Sequence, residues 1–425
     1  MMKKIQISQD NVTFSEDEKK EIIDCLDKKD TSIFVSSIVP SLQEKLENYL
    51  SIKHIKLLPN CTISLYVALQ SIGFKNEDEI IVPNLTHASS IYPIIMSDIK
   101  IKAYDFLPNS YFCDIKHIES LITKNTKAIL VCYLYGLPTN IEEVKELCEK
   151  HKLFLIEDTA QAFGVKVKDK YVGTFGDFGC YSFNDTKILR IGEGGAIGTN
   201  NSNFIEKINL ITHVGEQFTS NKKSTLSSNV TYRELFEEGL SYTGKALNFR
   251  VSPISFATGE SRLNKIEDFI YRRQVKLKMY YDKLKDIEGI KFIENFDISN
   301  LNSTAPIAAW LLLDNDRFDK NRILLGCINM GIPVGTFYYD ILNKNEYFKK
   351  FILNFNDNFN NSSMIKERSI FLPLYENISL EDIDKICEAF TYVMSKYNDD
   401  NSEVFNKDVL NKDISYFDGF FTMYN

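Results

Sequence analysis

An aspartate and a lysine in the middle of the chain could share one chemical task. Asp158 comes just after an apolar stretch at 153–156 that predicts a buried strand, and open α/β sheets bind ligands beyond the carboxyl ends of such strands. A carboxylate there can pair with a protonated heterocycle nitrogen; alternatively, it caps the next helix. Lys187 follows a small apolar strand and a Ser-Phe turn. An amine placed there can act as a nucleophile if it is partly desolvated, whereas a lone lysine is more often a solvated surface side chain.

Two further segments offer groups that suit a phosphate. Thr62 stands where a helix over 64–72 is predicted to begin, so its hydroxyl and the nearby amide groups can bind a phosphate or simply cap the helix. The hydroxyl of Ser182 is a second candidate, and the Gly-rich stretch at 192–195 permits close backbone approach or is a plain turn. Along the chain come a threonine at a helix start, an aspartate at a strand end, a Ser-Phe turn followed by a lysine, and a Gly-rich stretch. Together they suit pyridoxal phosphate, whose ring nitrogen enzymes keep protonated with an acid.

The elements that must position these residues alternate between strands and helices from about residue 54 to 200. Strands are predicted at 79–83, 99–106, 128–132 and 153–156, and helices at 64–72 and 141–151. Continuously apolar strands between amphipathic helices predict an α/β fold with a mostly parallel sheet that is covered on both faces.

The pattern changes after about residue 260, which predicts a second domain. Helices are expected at 267–285, 319–330 and 379–397, strands at 305–313 and 332–337, and an exposed polar loop at 354–363. A chain of 425 residues also exceeds what one hydrophobic core usually serves. We therefore expect a large domain over 1–260, a smaller C-terminal α+β domain over 261–397, and a tail over 398–425 whose aromatic residues either dock or fray.

Composition excludes several classes of function. The net charge of −8 lacks the basic surface that nucleic-acid binding requires. The longest apolar stretch, 128–137, is too short to span a bilayer, and the first residues lack the apolar core of a secretory signal. The eight cysteines form no C-x-x-C pair, which favours a reducing, cytoplasmic setting and no metal site.

Several motifs in their order resemble those of the DegT/DnrJ/StrS sugar aminotransferases, which are fold-type-I enzymes of pyridoxal phosphate. Glu-Asp-Thr-Ala-Gln-Ala at 157–162 and the long block at 176–195 (GDFGCYSFNDTKILRIGEGG) carry most of the resemblance. Weaker matches are VPNLTHASS at 82–90, ALNFR at 246–250 and FLPL at 371–374. The likeness extends to about residue 397.

The resemblance implies a role for each matching residue. Lys187 would form the covalent link to pyridoxal phosphate and move the proton, and Asp158 would pair with the pyridine nitrogen. The other implied contacts are Gln161 near the phenolic oxygen, His87 on the ring in place of an aromatic residue, Thr62, the backbone of Ile63 and Ser182 at the phosphate, and Asn248 at the phosphate in the neighbouring subunit. The last contact implies a homodimer with shared sites.

The departures from the family pattern bear on the substrate more than on the cofactor. Cys61 replaces a glycine, Thr159 an alanine and Arg262 a glutamine, and Tyr338 stands near a position that often holds histidine in the acceptor pocket. The implied reaction transfers an amino group from glutamate to a keto-sugar that is linked to a nucleotide and destined for a glycan or a glycosylated metabolite. The phosphates of such a substrate need basic partners. The candidates are Arg190 and Arg250, and either could equally form a structural ion pair.

Three other functions stay open at this point. A sugar dehydratase on the same scaffold carries histidine where Lys187 stands, so the lysine argues against that function. A regulatory protein could bind the cofactor without turnover, although Lys187, Asp158 and Gln161 are all in place. The acceptor could also be a keto-cyclitol. The sequence does not identify the sugar, the carbon that is aminated or the stereochemistry.

Overall fold

The structure is a computed structural model, and it describes residues 4–5, 14–219, 221–226, 239–314, 316–337, 341–400 and 402–406. This part of the chain contains a large α/β unit around a seven-stranded sheet and a smaller unit around a three-stranded sheet. The prediction of a large, mostly parallel sheet followed by a smaller α+β domain is confirmed.

The strand that carries Asp158 lies in the middle of the seven-stranded sheet of the large unit. In chain order they are β1 (His54–Leu58), β2 (Glu79–Pro83), β3 (Lys100–Tyr104), β4 (Thr126–Cys132), β5 (Phe154–Asp158), β6 (Lys166–Val167), β7 (Lys170–Tyr171), β8 (Phe178–Ser182), β9 (Gly195–Thr199), β10 (Glu216–Phe218) and β11 (Leu240–Tyr242). The seven-stranded sheet has the order β1-β9-β8-β5-β4-β2-β3. Strands β3, β2, β4, β5 and β8 pair in parallel, while β9 runs antiparallel to both of its neighbours. The carboxyl ends of the five parallel strands therefore meet at one edge.

The helices of the large unit connect and cover these strands. They are α1 (Glu16–Asp27), α2 (Ile38–Leu50), α3 (Cys61–Ile72), α4 (Ala88–Met96), α5 (Ile115–Leu121), α6 (Ile141–His151), α7 (Ser202–Thr212), α8 (Pro253–Phe256) and α9 (Gly259–Asn264). Local sequence fixes the ends of α3. The Asn60 side chain accepts the Ile63 N–H at 2.9 Å, and Gly73 ends the helix at φ +77°. Glycine takes that left-handed conformation without the steric cost of a side chain.

Both faces of the sheet are buried, as the apolar strands predict. Ile129 and Val131 of β4 belong to one core, whereas Ala128 and Leu130 belong to the core on the other face. Successive side chains of a strand point to opposite faces, so the part of a strand that packs against a core on both sides, such as residues 128–132, is apolar at successive positions. This explains why β4 reads as an unbroken apolar run.

The smaller unit has its own core around an antiparallel sheet. Its elements are α10 (Ile266–Leu284), β12 (Ile290–Phe292), β13 (Ala308–Leu313), α11 (Lys320–Asn329), α12 (Asn360–Arg368), β14 (Ser369–Pro373) and α13 (Leu380–Ser395). Helix α10 spans the junction, because Ile266 and Ile270 pack in the core of the large unit while Leu277 and Tyr280 pack in the core of the small one. The predicted boundary between residues 260 and 261 stays a prediction.

Two expectations for this region are wrong. Residues 332–337 form no strand, because only Gly335 pairs with Phe371, through two backbone hydrogen bonds of 2.9 and 2.8 Å. Residues 354–363 are not simply an exposed loop. The Asn354 amide accepts from the Ala103 N–H and donates to the Ala103 carbonyl, both at 2.9 Å, and thereby covers the edge of strand β3. Residues 360–368 are helix α12.

The described part of the predicted tail is short. Glu403–Phe405 forms one turn of 3-10 helix, and Phe405 is buried in the core of the small unit. The aromatic residues between 416 and 424 lie outside the described residues. Within the described part of the chain, no helix is both long and apolar enough to cross a bilayer.

Candidate active site

A cavity of about 370 Å³ opens at the edge where the parallel strands end. Asp158 is the last residue of β5, Cys132 the last of β4 and Ser182 the last of β8, and all three line this cavity. Lys187 lines it as well. The structure thus brings the predicted amine and the predicted acid into one space, and a volume of this size suits a small-molecule ligand.

Hydrogen bonds hold the Asp158 carboxylate in the cavity wall. Ser90 Oγ donates to Asp158 Oδ2 at 2.6 Å, and the Ala160 N–H donates to Oδ1 at 3.1 Å. The hydroxyl of Thr86 donates in turn to Ser90 at 3.2 Å. The bond from the Ala160 N–H is the kind of contact that a capping residue makes. The Asp158 carboxylate also accepts from Ser90 and lines the cavity, so capping is not its only contact.

The loop that carries Lys187 is closed by its own backbone. The Asp185 N–H donates to the Gly192 carbonyl at 3.0 Å, and the Lys187 N–H donates to the Asn184 carbonyl at 2.9 Å. Burial lowers the pKa of the Lys187 ammonium, and the nearby charges of Asp158 and Glu193 partly offset this effect. A desolvated amine of this kind loses its proton more readily than a surface lysine and so becomes a better nucleophile.

The amino end of helix α3 forms another part of the cavity wall. Thr62 lines the cavity there and faces the same space as Ser182. Gly195 permits this arrangement, because a Cβ at that position would lie 2.5 Å from the backbone carbon of Asn60 and 2.8 Å from the nitrogen of Cys61. Helix amino ends attract anions. Ile63 is not among the residues that line the cavity. Its backbone N–H donates to Asn60 Oδ1.

Backbone N–H groups fix the orientation of the Gln161 and His87 side chains, which both line the cavity. The Tyr135 N–H donates to Gln161 Oε1 at 2.9 Å, which leaves the NH2 end of the amide for the cavity. The Ser89 N–H donates to His87 Nδ1 at 3.1 Å. Burial, followed by the positive charge of Lys187, lowers the pKa of His87, so the imidazole is neutral at neutral pH.

Three of the predicted site residues lie elsewhere. Asn248 is exposed and does not line the cavity; its side-chain oxygen accepts the Arg250 N–H at 3.1 Å. Arg250 Nη1 lies 2.9 Å from His213 Nδ1. Arg190 is buried away from the cavity in an ion pair with Glu376. Tyr338 lies outside the described residues.

Sequence reasoning overlooked several residues of the wall. Ser90 belongs to the stretch 82–90, and Asn184 and Glu193 belong to 176–195; both stretches drew attention for other residues. Asn184 Nδ2 donates to Glu193 Oε1 at 2.8 Å across the lysine loop. The only sequence signal for Ser90 is that it is a short polar residue close to His87, a predicted cofactor ligand. The fold is needed to show that Ser90 faces Asp158.

The donor set fits pyridoxal phosphate. One end of the cavity offers hydroxyl groups and the amino end of a helix, which suit a phosphate. A carboxylate suits a protonated ring nitrogen, and a desolvated lysine suits an aldehyde. Among the described residues, no group of three or more His, Cys, Asp or Glu side chains is arranged to hold a metal ion.

Known proteins match most of this chain. The model of the DegT/DnrJ/EryC1/StrS aminotransferase family matches residues 13–391. The GDP-perosamine synthase of Escherichia coli O157:H7 is 30% identical over 289 residues, which cover 67% of this chain and 73% of that protein. The dTDP-4-amino-4,6-dideoxy-D-glucose transaminase of Shigella dysenteriae is 27% identical, over 81% of this chain and 87% of that protein.

A solved structure shares the fold. Helicobacter pylori PseC, an aminotransferase of pseudoaminic acid biosynthesis, superimposes with a TM-score of 0.81 at 21% identity and covers 92% of this chain and 100% of its own. The fold is therefore that of the fold-type-I enzymes. The family whose model matches residues 13–391 is one of pyridoxal-phosphate enzymes, so pyridoxal phosphate is the cofactor. Because the family model spans residues 13–391 and the described site retains the lysine and the acid that such a cofactor needs, the chain belongs to the DegT/DnrJ/EryC1/StrS aminotransferase family.

Proposed function

We propose that this enzyme transfers an amino group from glutamate to a keto-sugar carried on a nucleotide, in the synthesis of a glycan. The observation that carries the proposal is the presence of Lys187 and Asp158 in one cavity at the carboxyl edge of the sheet. The names of the relatives from Escherichia coli and Shigella dysenteriae, which are those of enzymes of nucleotide-linked sugars, support the class of acceptor.

Each end of the cavity has a proposed task. When bound, pyridoxal phosphate supplies an electron sink for the charge that remains on carbon after a proton departs. Lys187 holds the cofactor and accepts and returns that proton at Nζ, a task for which its lowered pKa suits it. Asp158 binds the ring nitrogen, and Gln161 offers its NH2 group to the phenolic oxygen. His87 packs on the ring.

Thr62 and Ser182 are proposed as the phosphate ligands, together with the amino end of helix α3. Their hydroxyl groups line the cavity, and the helix end adds a favourable field for an anion. The Ile63 N–H contributes to that field from within the first turn while it remains bonded to Asn60. With Asp158 at the ring nitrogen and these groups at the phosphate, the two contacts together would set the orientation of the ring.

Asn248 and Arg250 are proposed to complete the site of a second copy, so that the enzyme works as a homodimer. Asn248 is exposed, and the neighbouring side chains of Phe34, Val35 and Leu247 are 64%, 72% and 54% exposed. The ring of Phe34 lies 5.5 Å from the Arg250 guanidinium. Exposed apolar side chains beside Asn248 and Arg250 support an interface with a second copy at this surface. Arg250 is the proposed partner of the substrate phosphates, since Arg190 is paired with Glu376, and Tyr338 is proposed for the acceptor pocket.

A screen of nucleotide keto-sugars tests the reaction. The purified enzyme is incubated with glutamate and each keto-sugar, and mass spectrometry identifies the product. We expect an amino sugar and an equal amount of 2-oxoglutarate. A deoxygenated sugar without nitrogen would identify a dehydratase, and binding of pyridoxal phosphate with no product from any keto-sugar or keto-cyclitol would favour a regulatory protein. Lys168→Ala is the matched control for Lys187→Ala, because Lys168 is a surface lysine paired with Glu142.

Subunit mixing tests the shared site. Lys187→Ala and Asn248→Ala are each expected to be nearly inactive. If Asn248 serves the partner subunit's site, a mixed dimer contains one site with both residues intact, so random mixing restores about a quarter of the parent activity. No recovery in mixtures whose exchange is verified by mass would show that Asn248 does not act across subunits.

A further inference from the structure

The carboxylate of Asp158 receives donors from three different elements besides its own loop. Ser90 Oγ in helix α4 donates at 2.6 Å, Cys61 Sγ at the start of helix α3 at 3.7 Å and Cys132 Sγ at the end of strand β4 at 3.9 Å. With the Ala160 N–H at 3.1 Å, two donors reach each oxygen of the carboxylate. All of these side chains are buried.

The two thiols act as donors and not as nucleophiles. Burial, and then the negative charge of Asp158, raises the pKa of both Cys61 and Cys132 well above the ordinary value. The sulfur atoms therefore keep their protons at neutral pH. Thiols are weak donors, so Ser90, with the shortest contact, is the strongest member of the group.

Three anchors leave the carboxylate little freedom to turn. Helix α3 and helix α4 approach from one face of the sheet, and Cys132 lies beside Asp158 in the parallel register of β4 and β5. Thr86 donates to Ser90 and so steadies the hydroxyl in turn. Donors to an ionised oxygen favour its charged form, and a chain of such bonds strengthens each member.

We propose that Ser90, assisted by Cys61 and Cys132, is a positioning residue that keeps the Asp158 carboxylate turned towards the ring nitrogen of the cofactor. Ser90 and the two cysteines line the same cavity as Asp158, and the proposed role of all three is exerted through their hydrogen bonds to its carboxylate. The inference rests on the proposed pairing of Asp158 with that nitrogen. It accounts for a cysteine at position 61, next to the phosphate-binding end of α3, as a donor to the acid.

The test uses the full-length enzyme with pyridoxal phosphate labelled with ¹⁵N in the ring. The ¹⁵N chemical shift reports whether the ring nitrogen is protonated, and equilibrium dialysis gives the cofactor dissociation constant. We expect Ser90→Ala to weaken cofactor binding on the order of 10-fold, since it removes a hydrogen bond to a charged group, and to lower the protonated fraction of the nitrogen. Ser90→Thr keeps the hydroxyl and is expected to behave as the parent.

The cysteine pair separates the hydrogen bond from packing. Cys61→Ala is expected to lower the protonated fraction by less than Ser90→Ala does, and Cys61→Ser to restore it. Cys180→Ala is the matched control, because Cys180 is an equally buried thiol opposite Asp158 in the sheet register and no hydrogen bond joins it to that carboxylate among the described contacts. If Ser90→Ala does not fold, the Cys61 variants decide.

Two results would overturn the inference: a ¹⁵N shift that is unchanged in both Ser90→Ala and Cys61→Ala, or an equal loss in Cys180→Ala. Neither measurement needs a sugar substrate. A normal pattern of shifts without any aminated sugar would therefore reject the proposed acceptor and leave the role of Ser90 intact.

Discussion

Two clusters of charged side chains lie close together in this molecule but have different surroundings. In the cavity, Lys187 and Asp158 face a space large enough for a ligand. Arg190, a few residues later in the chain, is part of a buried network. Its guanidinium pairs with Glu376, and the same carboxylate pairs with Arg273 at 2.9 Å. The first cluster leaves charged groups directed at a cavity, whereas the second satisfies them within the protein.

The arginine network joins the two units of the fold. Arg262 Nη1 donates to the Arg190 carbonyl at 2.8 Å and its guanidinium pairs with Glu18 of helix α1. Arg273 Nη1 donates to the carbonyls of Pro306 and Leu374 at 3.1 and 2.8 Å. Proximity in sequence to a catalytic motif therefore does not assign a function to a charged residue; its partners in the fold do.

The largest expected effect is the loss of turnover in Lys187→Ala. Removal of the amine abolishes both the attachment of the cofactor and the proton transfer, so we expect kcat to fall on the order of 10,000-fold or more. The folded state should survive, because the substitution removes a side chain that lines the cavity and leaves the backbone hydrogen bonds of its loop in place. Steady-state kinetics measure the loss, and circular dichroism checks the fold. Retention of activity would show that the charged groups of the cavity do not carry out catalysis.

Glu376→Ala should lower the stability of the protein, whereas Lys187→Ala should lower its activity. The substitution leaves Arg190 and Arg273 as buried charges without their shared carboxylate, and breaking such a pair costs about 3–5 kcal/mol. We expect the free energy of unfolding, measured by urea titration, to fall by that amount. The control is Glu193→Ala, which removes an exposed carboxylate at the cavity rim and should change stability little. Equal losses in the two variants would show that burial does not separate the clusters.

His87→Phe should produce the smallest effect and reveal a titration in the cavity. Burial and the charge of Lys187 lower the pKa of His87 below its ordinary value of 6.5, against an opposite effect of Asp158. The unfolded chain therefore binds this proton more readily than the folded chain, so stability falls as the pH falls through that value. We expect the variant to gain stability relative to the parent between about pH 7 and about pH 5.

Urea unfolding at several pH values measures this difference. The pKa of His213 is also lowered, by burial and by Arg250, but that residue is present in both proteins and its contribution cancels. A stability difference that does not vary with pH would mean that His87 does not titrate in this range.

Local sequence predicted the parts of the fold that depend on local signals. The apolar runs of β4 and β5 and the amphipathic pattern of α6 revealed those elements, and the end of an apolar strand placed Asp158 correctly. Pairing between distant segments was not predictable. Strands β1 and β9 lie side by side at the end of the sheet, but residues 195–199 are small and carry little strand signal.

The site shows the same division between local and distant information. Lys187, Asp158, Gln161, Thr62 and Ser182 were found by motif and spacing. The proposed role of Ser90 depends on the hydrogen bond between helix α4 and the end of strand β5. Arg190 lies outside the cavity, where it pairs with Glu376 of the small unit. Both outcomes depend on contacts between residues far apart in sequence, which no local pattern encodes.

The most direct test of the central claim is to locate the cofactor on the chain. Reduction of the enzyme with borohydride in the presence of pyridoxal phosphate fixes the cofactor to the lysine that holds it, and peptide mass spectrometry then identifies that residue. We predict one modified site, Lys187, whose labelling weakens in Asp158→Ala because the acid that binds the ring is gone. Labelling of a different lysine, or equal labelling of many, would contradict the account.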